Sequence, residues 1–259
     1  MRGAGGMLNE ERRRAIVDLL HQQGRVLVKD LAARFETSQI TVRKDLELLQ
    51  ERGLLHRTHG GALTAQGGAL SDPTLREKEK LFRAEKGRIA QAAAKMVEEG
   101  QSVLLDSGTT TTAIARVLRD FRKLTVITNA VNIAAELSNC DIEVILTGGT
   151  VRKNSFSLVG PLAEETLRHL SADILFLGVD GFDTRWGLST PNLLEARVNR
   201  VMVETSRQVV VVCDSSKFGR RSLSTIVAPN AIHHVITDKR ISKTDVQNLK
   251  DAGVSVTVV

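Results

Sequence analysis

Apolar segments rich in β-branched residues recur through residues 103–259, and stretches with helical spacing lie between them. The predicted strands span residues 103–106, 125–128, 142–147, 174–179, 209–214, 234–237 and 255–259. The predicted helices span residues 85–99, 110–118, 131–137, 163–170, 193–206 and 243–251. Strands that are apolar along their whole length and alternate with helices are typical of a parallel sheet covered on both faces. The sequence therefore predicts an α/β doubly wound sheet over residues 81–259.

The chain before residue 81 has a different organisation. Residues 8–63 combine helical spacing with a short basic hairpin, and we expect them to form a separate, mainly α domain. Residues 64–80 contain two adjacent glycines and a proline, which is a composition typical of a linker. Residues 1–7 are rich in glycine, and we expect them to form a flexible tail.

Composition excludes several classes of protein. No apolar segment approaches the roughly 18 residues of a membrane helix, and the N-terminus lacks the apolar region of a secretory signal. We therefore expect no membrane partner. Only two cysteines are present, Cys140 and Cys213, and we expect both to be reduced in a cytoplasmic protein. A net charge of +6 is compatible with a nucleic-acid partner, but it is shared between both parts of the chain and does not identify one.

The first domain is expected to contain three helices, at residues 9–23, 28–35 and 39–52, with Ser38 as the N-cap of the third. At about 100° per residue, Val42, Leu46 and Leu49 fall on one side of this third helix and are predicted to be buried. The opposite face is predicted to be exposed and to carry Gln39, Ile40, Thr41, Arg43 and Lys44. These side chains suit the major groove of DNA, because they can bond base edges, a thymine methyl or phosphate. The alternative is a solvated face on a three-helix bundle.

Residues 54–63 favour the DNA-binding interpretation. They are predicted to form a two-stranded wing with a Gly-Gly bend and a basic flank that includes Arg57 and His59. A wing directly after a helix-turn-helix supplies contacts to the DNA backbone beside the helix that enters the groove. His56 and His59 could also indicate a metal, but no cysteine or carboxylate cluster accompanies them, and we expect no metal site. The first domain is thus predicted to be a winged helix-turn-helix that binds double-stranded DNA.

The segment after the first predicted strand of the second domain is polar and opens a helix. It consists of Asp106, Ser107, Gly108, Thr109, Thr110 and Thr111. Backbone N–H groups and the positive end of the helix dipole make such a turn suitable for an anion. The segment lacks the lysine of a nucleotide-hydrolysing loop. The alternative is an ordinary threonine-rich N-cap.

Other predicted strands end in residues of similar character, and in a doubly wound sheet ligands bind outside the carboxyl ends of the strands. These residues are Thr128, Asn129, Gly148, Gly149, Arg152, Asp180 and Lys217. Cations and N–H groups can bind a phosphate, while carboxylates and amides can bind sugar hydroxyls. This edge of the sheet is therefore predicted to bind a phosphorylated polyol. No dinucleotide, hydrolase or zinc motif is present, so no cofactor is expected.

Motifs throughout the chain resemble the DeoR family of bacterial transcriptional regulators. In the first domain these motifs are Arg12-x₃-Ile16-x₃-Leu20, residues 38–46 and residues 57–62. In the second domain they are Lys86-x₂-Ile89-Ala90 and residues 106–111, 147–149, 160–161, 178–181, 195–196 and 214–219. Residues 151–160 and 176–202 most resemble the regulators of N-acetylgalactosamine utilisation.

The resemblance implies a function as well as a fold. Family members have a sugar-phosphate-sensing domain related to ribose-5-phosphate isomerases, glucosamine-6-phosphate deaminases and CoA-transferases. Most are homo-oligomeric repressors of carbohydrate operons that a phosphorylated sugar releases from operator DNA. The resemblance thus implies a DNA-binding repressor with a phosphorylated sugar as effector.

An active sugar-phosphate isomerase or deaminase that carries a DNA-binding module is the alternative. Asp180, Asp183 and Glu195 are spaced rather like the acid/base carboxylates of ribose-5-phosphate isomerases, and Glu195 could shuttle a proton. Those isomerases place a lysine on a glycine-rich loop where this chain has residues 189–192, Ser-Thr-Pro-Asn. Loss of the lysine disfavours catalysis but leaves ligand contacts. We therefore expect a regulator that is not an enzyme, with Glu195 among its effector-binding residues.

Overall fold

The computed structural model of the chain describes residues 9–23, 25–52, 54–58, 60–64 and 71–259. The chain forms two compact units that divide between Ser71 and Asp72. The predicted tail lies outside the described residues, as do residues 65–70 of the predicted linker. No helix among the described residues is both long enough and apolar enough to cross a membrane.

The first unit contains three helices and one small antiparallel sheet. Its elements are α1 (Asn9–Gln23), β1 (Arg25–Leu27), α2 (Val28–Arg34), α3 (Gln39–Glu51), β2 (Leu55–Thr58) and β3 (Gly61–Thr64). The core includes Val42, Leu46 and Leu49, so the predicted buried side of the third helix is confirmed. Ser38 caps α3 as predicted, because its Oγ accepts a hydrogen bond from the Thr41 N–H.

The wing differs from the prediction because it contains a third strand. β1 pairs with β3, which lies between β1 and β2. Gly61 makes this close approach possible, since a Cβ at that position would lie 2.0 Å from the Val26 carbonyl oxygen. A three-residue strand directly before a helix has no periodicity of its own, and local pattern could not show its pairing with β3.

The second unit is built around a seven-stranded sheet. Its elements are α4 (Leu75–Glu79), α5 (Arg83–Ala94), β4 (Ser102–Leu105), α6 (Thr109–Leu118), β5 (Thr125–Thr128), α7 (Val131–Leu137), β6 (Glu143–Leu146), β7 (Thr150–Arg152), β8 (Ser157–Val159), α8 (Pro161–Arg168), β9 (Ala172–Leu177), β10 (Gly181–Asp183), β11 (Gly187–Thr190), α9 (Leu193–Glu204), β12 (Ser206–Val212), β13 (Ser224–Thr225), β14 (His234–Thr237), α10 (Lys243–Asp251) and β15 (Ser255–Val258). Every pair of neighbours in the order β15-β14-β12-β9-β4-β5-β6 is parallel. The predicted α/β doubly wound sheet is confirmed.

Both faces of this sheet are covered. Along β4, Val103 and Leu105 belong to one apolar cluster and Leu104 belongs to the other. This arrangement explains why the strands are apolar along their whole length. The strand order reverses at β4 and β9, because the chain runs outward from β4 to β6 and then returns to the other side of β4. A crevice at the carboxyl ends of two such strands is the usual ligand site of a doubly wound fold.

The sequence did not predict the smaller elements of the second unit. These are the β7–β8 hairpin, the sheet with order β10-β11-β13, and α4. The predicted linker extended too far, because α4 falls within residues 64–80 and belongs to the second unit. α4 begins there because Thr74 and Glu77 form a capping box.

Candidate functional site

One face of α3 is exposed and basic. Gln39, Arg43 and Lys44 are exposed, Ile40 is 65% exposed, and Thr41 is half-buried. We call these five residues the reading face. Among the described residues, neither Arg43 nor Lys44 forms an ion pair or a side-chain hydrogen bond. Their charges are therefore available to an external anion.

The opposite side of α3 is fixed by ion pairs that the sequence analysis missed. Asp45 is 1% exposed, and its two carboxylate oxygens accept hydrogen bonds from Arg12 Nε at 2.7 Å and from Arg13 Nε at 2.8 Å. These bonds hold α3 against α1. The signal was present, because Asp45 lies three residues after Val42 and four before Leu49, on the buried stripe.

Among the described residues of the wing, one cation is exposed. Arg57 is exposed, and its Nη1 lies 3.3 Å from Glu47 Oε1. His59 lies outside the described residues. Among the described residues, no group of three or more His, Cys, Asp or Glu side chains could hold a metal ion.

In the second unit, Asp106 ends β4 at the point where the strand order reverses. It is 2% exposed, and its Oδ2 lies 3.4 Å from the position that a Cβ on Gly178 would take, just after β9. Burial raises the pKa of Asp106 well above its ordinary value, and the nearby charges of Glu195 and Asp180 raise it further. Burial thus favours the protonated form of the Asp106 carboxyl group, and that form can donate a hydrogen bond.

The turn that follows Asp106 uses some of its hydroxyl groups internally. The hydroxyls of Thr111 and Thr112 donate to the Gly108 carbonyl oxygen at 3.0 Å and 2.6 Å. Thr110 and Thr111 are buried, whereas Ser107, Gly108 and Thr109 are half-buried at the start of α6. Of the predicted anion-binding residues, the first three after Asp106 are therefore the more accessible.

Asp180 lies between two lysines just after β9. Lys78 Nζ is 2.6 Å and Lys217 Nζ is 4.0 Å from Asp180 Oδ1. Burial alone would raise the pKa of Asp180, but the charges of Lys78 and Lys217 outweigh it and the pKa lies below its ordinary value. Burial lowers the pKa of Lys217, whereas the attraction of Asp180 keeps the pKa of Lys78 raised despite burial. The site thus holds a charged carboxylate against two cations.

Glu195 lies in the first turn of α9, where Asn192 caps the helix through bonds to the Leu194 and Glu195 N–H groups. Its Oε1 accepts hydrogen bonds from Arg152 Nη1 at 3.1 Å and from the Ser157 hydroxyl at 2.9 Å. Thr190 joins the two carboxylates, since its Oγ1 lies 3.2 Å from Asp180 and 3.3 Å from Glu195. Arg152 forms a second ion pair with Asp72.

These contacts bring several predicted residues together with others that the sequence did not indicate. We use the name rim cluster for Asp106, Asp180, Glu195, Lys78, Arg152 and Lys217. Lys78 was missed because it lies in the predicted linker. Lys86, quoted above only as part of a motif, lies behind the cluster and donates to the carbonyl oxygens of Lys78 and Leu81 at 2.6 Å and 2.7 Å.

Four predicted residues form no hydrogen bond or ion pair with the rim cluster in the part of the chain that the structure describes. Thr128 is fully buried, and its hydroxyl donates to the Leu105 carbonyl oxygen at 2.7 Å. Asn129 is also fully buried and donates to the Leu158 carbonyl oxygen at 3.3 Å. Gly148 and Gly149 form a turn with positive φ after β6. Through these hydrogen bonds, Thr128 and Asn129 have a structural role at the carboxyl end of β5.

Two family models match the chain. The model for a DeoR-like helix-turn-helix domain matches residues 12–66, and the model for the DeoR C terminal sensor domain matches residues 82–239. The second match covers more than half of the chain.

Similar curated proteins are transcriptional regulators by name. A protein of Escherichia coli O157:H7 that is named as an aga operon transcriptional repressor is 41% identical over 96% of this chain and 93% of its own. The regulator GlpR of Haloferax volcanii is 39% identical over 96% of this chain and 98% of its own. The glycerol-3-phosphate regulon repressor of Escherichia coli K12 is 32% identical over 90% and 92%.

Solved structures match more distantly. Ribose 5-phosphate isomerase A of Neisseria gonorrhoeae is 15% identical over 56% of this chain and 55% of its own, with a TM-score of 0.39. The eIF2B delta subunit of Chaetomium thermophilum is 17% identical over 81% and 64%, with a TM-score of 0.43.

Proposed function

The chain belongs to the DeoR family of transcriptional regulators, and from this premise we propose that it represses a carbohydrate-utilisation operon until a phosphorylated sugar binds in its second unit. One observation supports the proposal above all. The rim cluster gathers three cations and three carboxyl groups at the carboxyl ends of strands, where the strand order reverses.

In this proposal the first unit binds operator DNA. The reading face enters the major groove, with Gln39 and Arg43 bonding base edges, Ile40 meeting a thymine methyl and Lys44 meeting phosphate. Ser38 and Thr41 border the phosphate backbone at the start of α3, and the wing residues Arg57 and His59 bind the backbone beside it. We further propose that the protein is a homo-oligomer that acts in the cytoplasm, because two copies would present two reading faces to a repeated operator.

In the second unit, the sugar phosphate is proposed to bind over the rim cluster. Lys217 and Arg152 would bind the phosphate together with backbone N–H groups of residues 107–111. Asp180 and Glu195 would accept hydrogen bonds from sugar hydroxyls, and Asp106, whose pKa is raised by burial, would donate one in its protonated form. The fully buried Thr128 and Asn129 and the Gly148–Gly149 turn would support neighbouring strand ends of this site and would not bond the sugar through their side chains.

The sugar is proposed to be an amino sugar 6-phosphate. The resemblance of residues 151–160 and 176–202 to regulators of N-acetylgalactosamine utilisation supports this, as does the relative named for the aga operon. Gel-shift titration with N-acetylgalactosamine 6-phosphate, galactosamine 6-phosphate, glucose 6-phosphate and ribose 5-phosphate tests it. We expect an amino sugar phosphate to release the DNA at the lowest concentration. Indifference of DNA binding to the whole panel would refute the proposed effector class.

The double variant Thr110→Ala/Lys217→Ala tests the position of the site. We expect it to bind operator DNA like the wild type but to need a much higher effector concentration for release. The matched control is Lys95→Ala, which removes an exposed lysine at the end of α5. A double variant that responds at the wild-type concentration would show that the site lies elsewhere.

Residual sugar-phosphate isomerisation or deamination is a second candidate function. The observation that favours it is the set of three carboxyl groups, one of which, Asp106, has a pKa that burial raises well above its ordinary value. The absence of a lysine in residues 189–192 argues against it. An assay for product formation from each panel member separates the two candidates. We expect no turnover, and sustained turnover would establish the enzyme.

A further inference from the structure

Residues 72–82 form the first segment of the second unit, and we call it the entry segment. Asp72 forms an ion pair with Arg152 and accepts a hydrogen bond from Asn154 Nδ2 at 3.0 Å. The Leu75 N–H donates to the Asn154 carbonyl oxygen at 2.7 Å. Further along the segment, Lys78 forms its ion pair with Asp180. The entry segment is therefore held on the second unit by polar side chains of the rim cluster.

The cations of the rim cluster are already paired in this structure. Arg152 contacts both Asp72 and Glu195, while Lys78 and Lys217 contact Asp180. An incoming phosphate must therefore take donors away from a carboxylate. Each cation can exchange one anionic partner for another at small electrostatic cost, whereas adding a dianion to fully paired cations would leave negative charges uncompensated.

The carboxylates that pair with these cations are Asp72, Asp180 and Glu195, and they differ in how firmly they are held. Glu195 is 7% exposed and lies in a capped helix with Arg152, Ser157 and Thr190 around it. Asp180 has Lys78, Lys217 and Thr190 around it. Asp72 precedes the first helix of the unit and is held by two residues, Arg152 and Asn154, of one hairpin. Asp72 is thus the carboxylate that a competing anion displaces most readily.

We propose that Asp72 occupies Arg152 when no effector is bound, and that the phosphate group of the effector displaces it. Loss of this ion pair releases the start of the entry segment, which follows residues 65–71 in the sequence. The connection between the two units then becomes longer, and a longer connection lowers the effective concentration of one DNA-binding unit beside another. This inference rests on the proposed function, since it assigns the event that couples effector binding to DNA release.

Linkage fixes the signs of the expected effects. If the effector must break the Asp72–Arg152 pair, then removing the pair strengthens effector binding and weakens DNA binding. The variant Asp72→Asn removes the charge and keeps the size of the side chain. We expect calorimetry to show about tenfold tighter binding of the panel sugar phosphate that the wild type binds best. We also expect weaker operator binding in the absence of effector.

Asp173→Asn is the matched control. Asp173 is a half-buried carboxylate that pairs with the exposed Arg207 at 3.3 Å, and it lies at the start of β9, the opposite end of that strand from Asp180. We expect Asp173→Asn to leave effector affinity unchanged. Asp72→Glu, which restores the charge on a longer side chain, should return the affinity toward the wild-type value.

Amide hydrogen exchange distinguishes the proposed displacement from a general loss of stability, because the two would change the exchange rates of different amides. Adding the sugar phosphate to the wild type should speed exchange of the Leu75 amide while slowing exchange at residues 107–111. Slower exchange at Leu75 would mean that the entry segment closes on the effector, and this would overturn the inference. If the wild type binds the effector and Asp72→Asn binds it equally well, this inference fails alone. If the wild type binds no panel member, the proposed function fails with it.

Discussion

The two units carry their positive charges in opposite ways. On the reading face, Arg43 and Lys44 are exposed and have no ionic partner among the described residues. In the rim cluster, Arg152, Lys78 and Lys217 have side chains only 13%, 20% and 19% exposed, and each lies beside a carboxylate.

This difference suits the two ligands that we propose. Exposed cations bind a polyanion such as DNA by releasing its counterions, and the interaction is available whenever DNA is near. Paired cations bind a small anion only by exchange, so the surrounding carboxylates decide which anion can enter. The first arrangement favours affinity, whereas the second favours selectivity and links binding to a change in the protein.

The largest expected effect tests whether paired cations are a property of the second unit or of any buried position. Asp45 is a buried carboxylate in the first unit with two arginine partners, so this unit contains a paired site as well. Asp45→Asn would leave the buried Arg12 without its counter-charge. We expect the first unit to lose about 3–5 kcal/mol of stability, measured by denaturant unfolding. Operator binding should be lost with it.

The control for this prediction is the exposed pair between Glu47 and Arg57. Their side chains are 59% and 36% exposed, and we expect Glu47→Gln to change the free energy of unfolding by less than about 1 kcal/mol. Equal losses in the two variants would show that burial does not distinguish these ion pairs.

The next effect concerns the buried lysine of the second unit. Burial lowers the pKa of Lys86 to about 8, while in the unfolded chain it stays near its ordinary value. Between these two values the unfolded chain binds more protons, so stability rises with pH from about 8 to 10.5 and is lost again as the pH is lowered from 10.5 to 8. The free energy of unfolding of the wild type, relative to Lys86→Met, should rise by about 3 kcal/mol over this range.

Lys95→Met is the matched control for Lys86, because Lys95 lies at the end of the same helix and is exposed. Its difference from the wild type should stay flat over the same pH range. A flat difference for Lys86→Met as well would show that the second unit does not hold Lys86 in a desolvated position.

The sequence predicted those parts of the fold that have a local pattern. All seven strands of the large sheet were located, since runs such as residues 209–212 are apolar at every position. The buried stripe and exposed face of α3 followed from helical periodicity. β1 and the β7–β8 hairpin were missed, because three-residue strands have no period and depend on a distant partner.

The candidate site was predicted in part for the same reason. Asp106, Asp180 and Lys217 lie at the end of predicted strands of the large sheet or within a few residues after them. Because the carboxyl ends of parallel strands lie at one edge of a sheet, these residues were expected to lie together. Lys78 and Asp72 follow no strand of the large sheet. They lie in a segment whose composition is typical of a linker, and only the packing of α4 and the β7–β8 hairpin brings them to Asp180 and Arg152.

Arg43→Ala tests the reading face directly. If Arg43 forms a bidentate contact with a base, the variant should lose about 1–3 kcal/mol of binding free energy to an operator selected from a random duplex library. Its sequence preference should relax at one base pair. Lys95→Ala again serves as the control and should leave both quantities unchanged. An unaltered preference would show that Arg43 does not read bases.

Lys44→Ala should have the smallest effect and gives the sharpest contrast between the units. A lysine that binds phosphate should weaken binding to all sequences alike and lower the slope of log K against log salt concentration by about one unit. Lys217→Gln changes the same charge but removes a cation that Asp180 already neutralises, so the slope should stay constant. Both variants lower the net charge of the protein equally. A difference in slope would therefore come from the exposure and ion pairing of each lysine and not from the total charge. Equal changes in slope would mean that the paired cations of the second unit also act on DNA, and the distinction between the two kinds of cation would then fail.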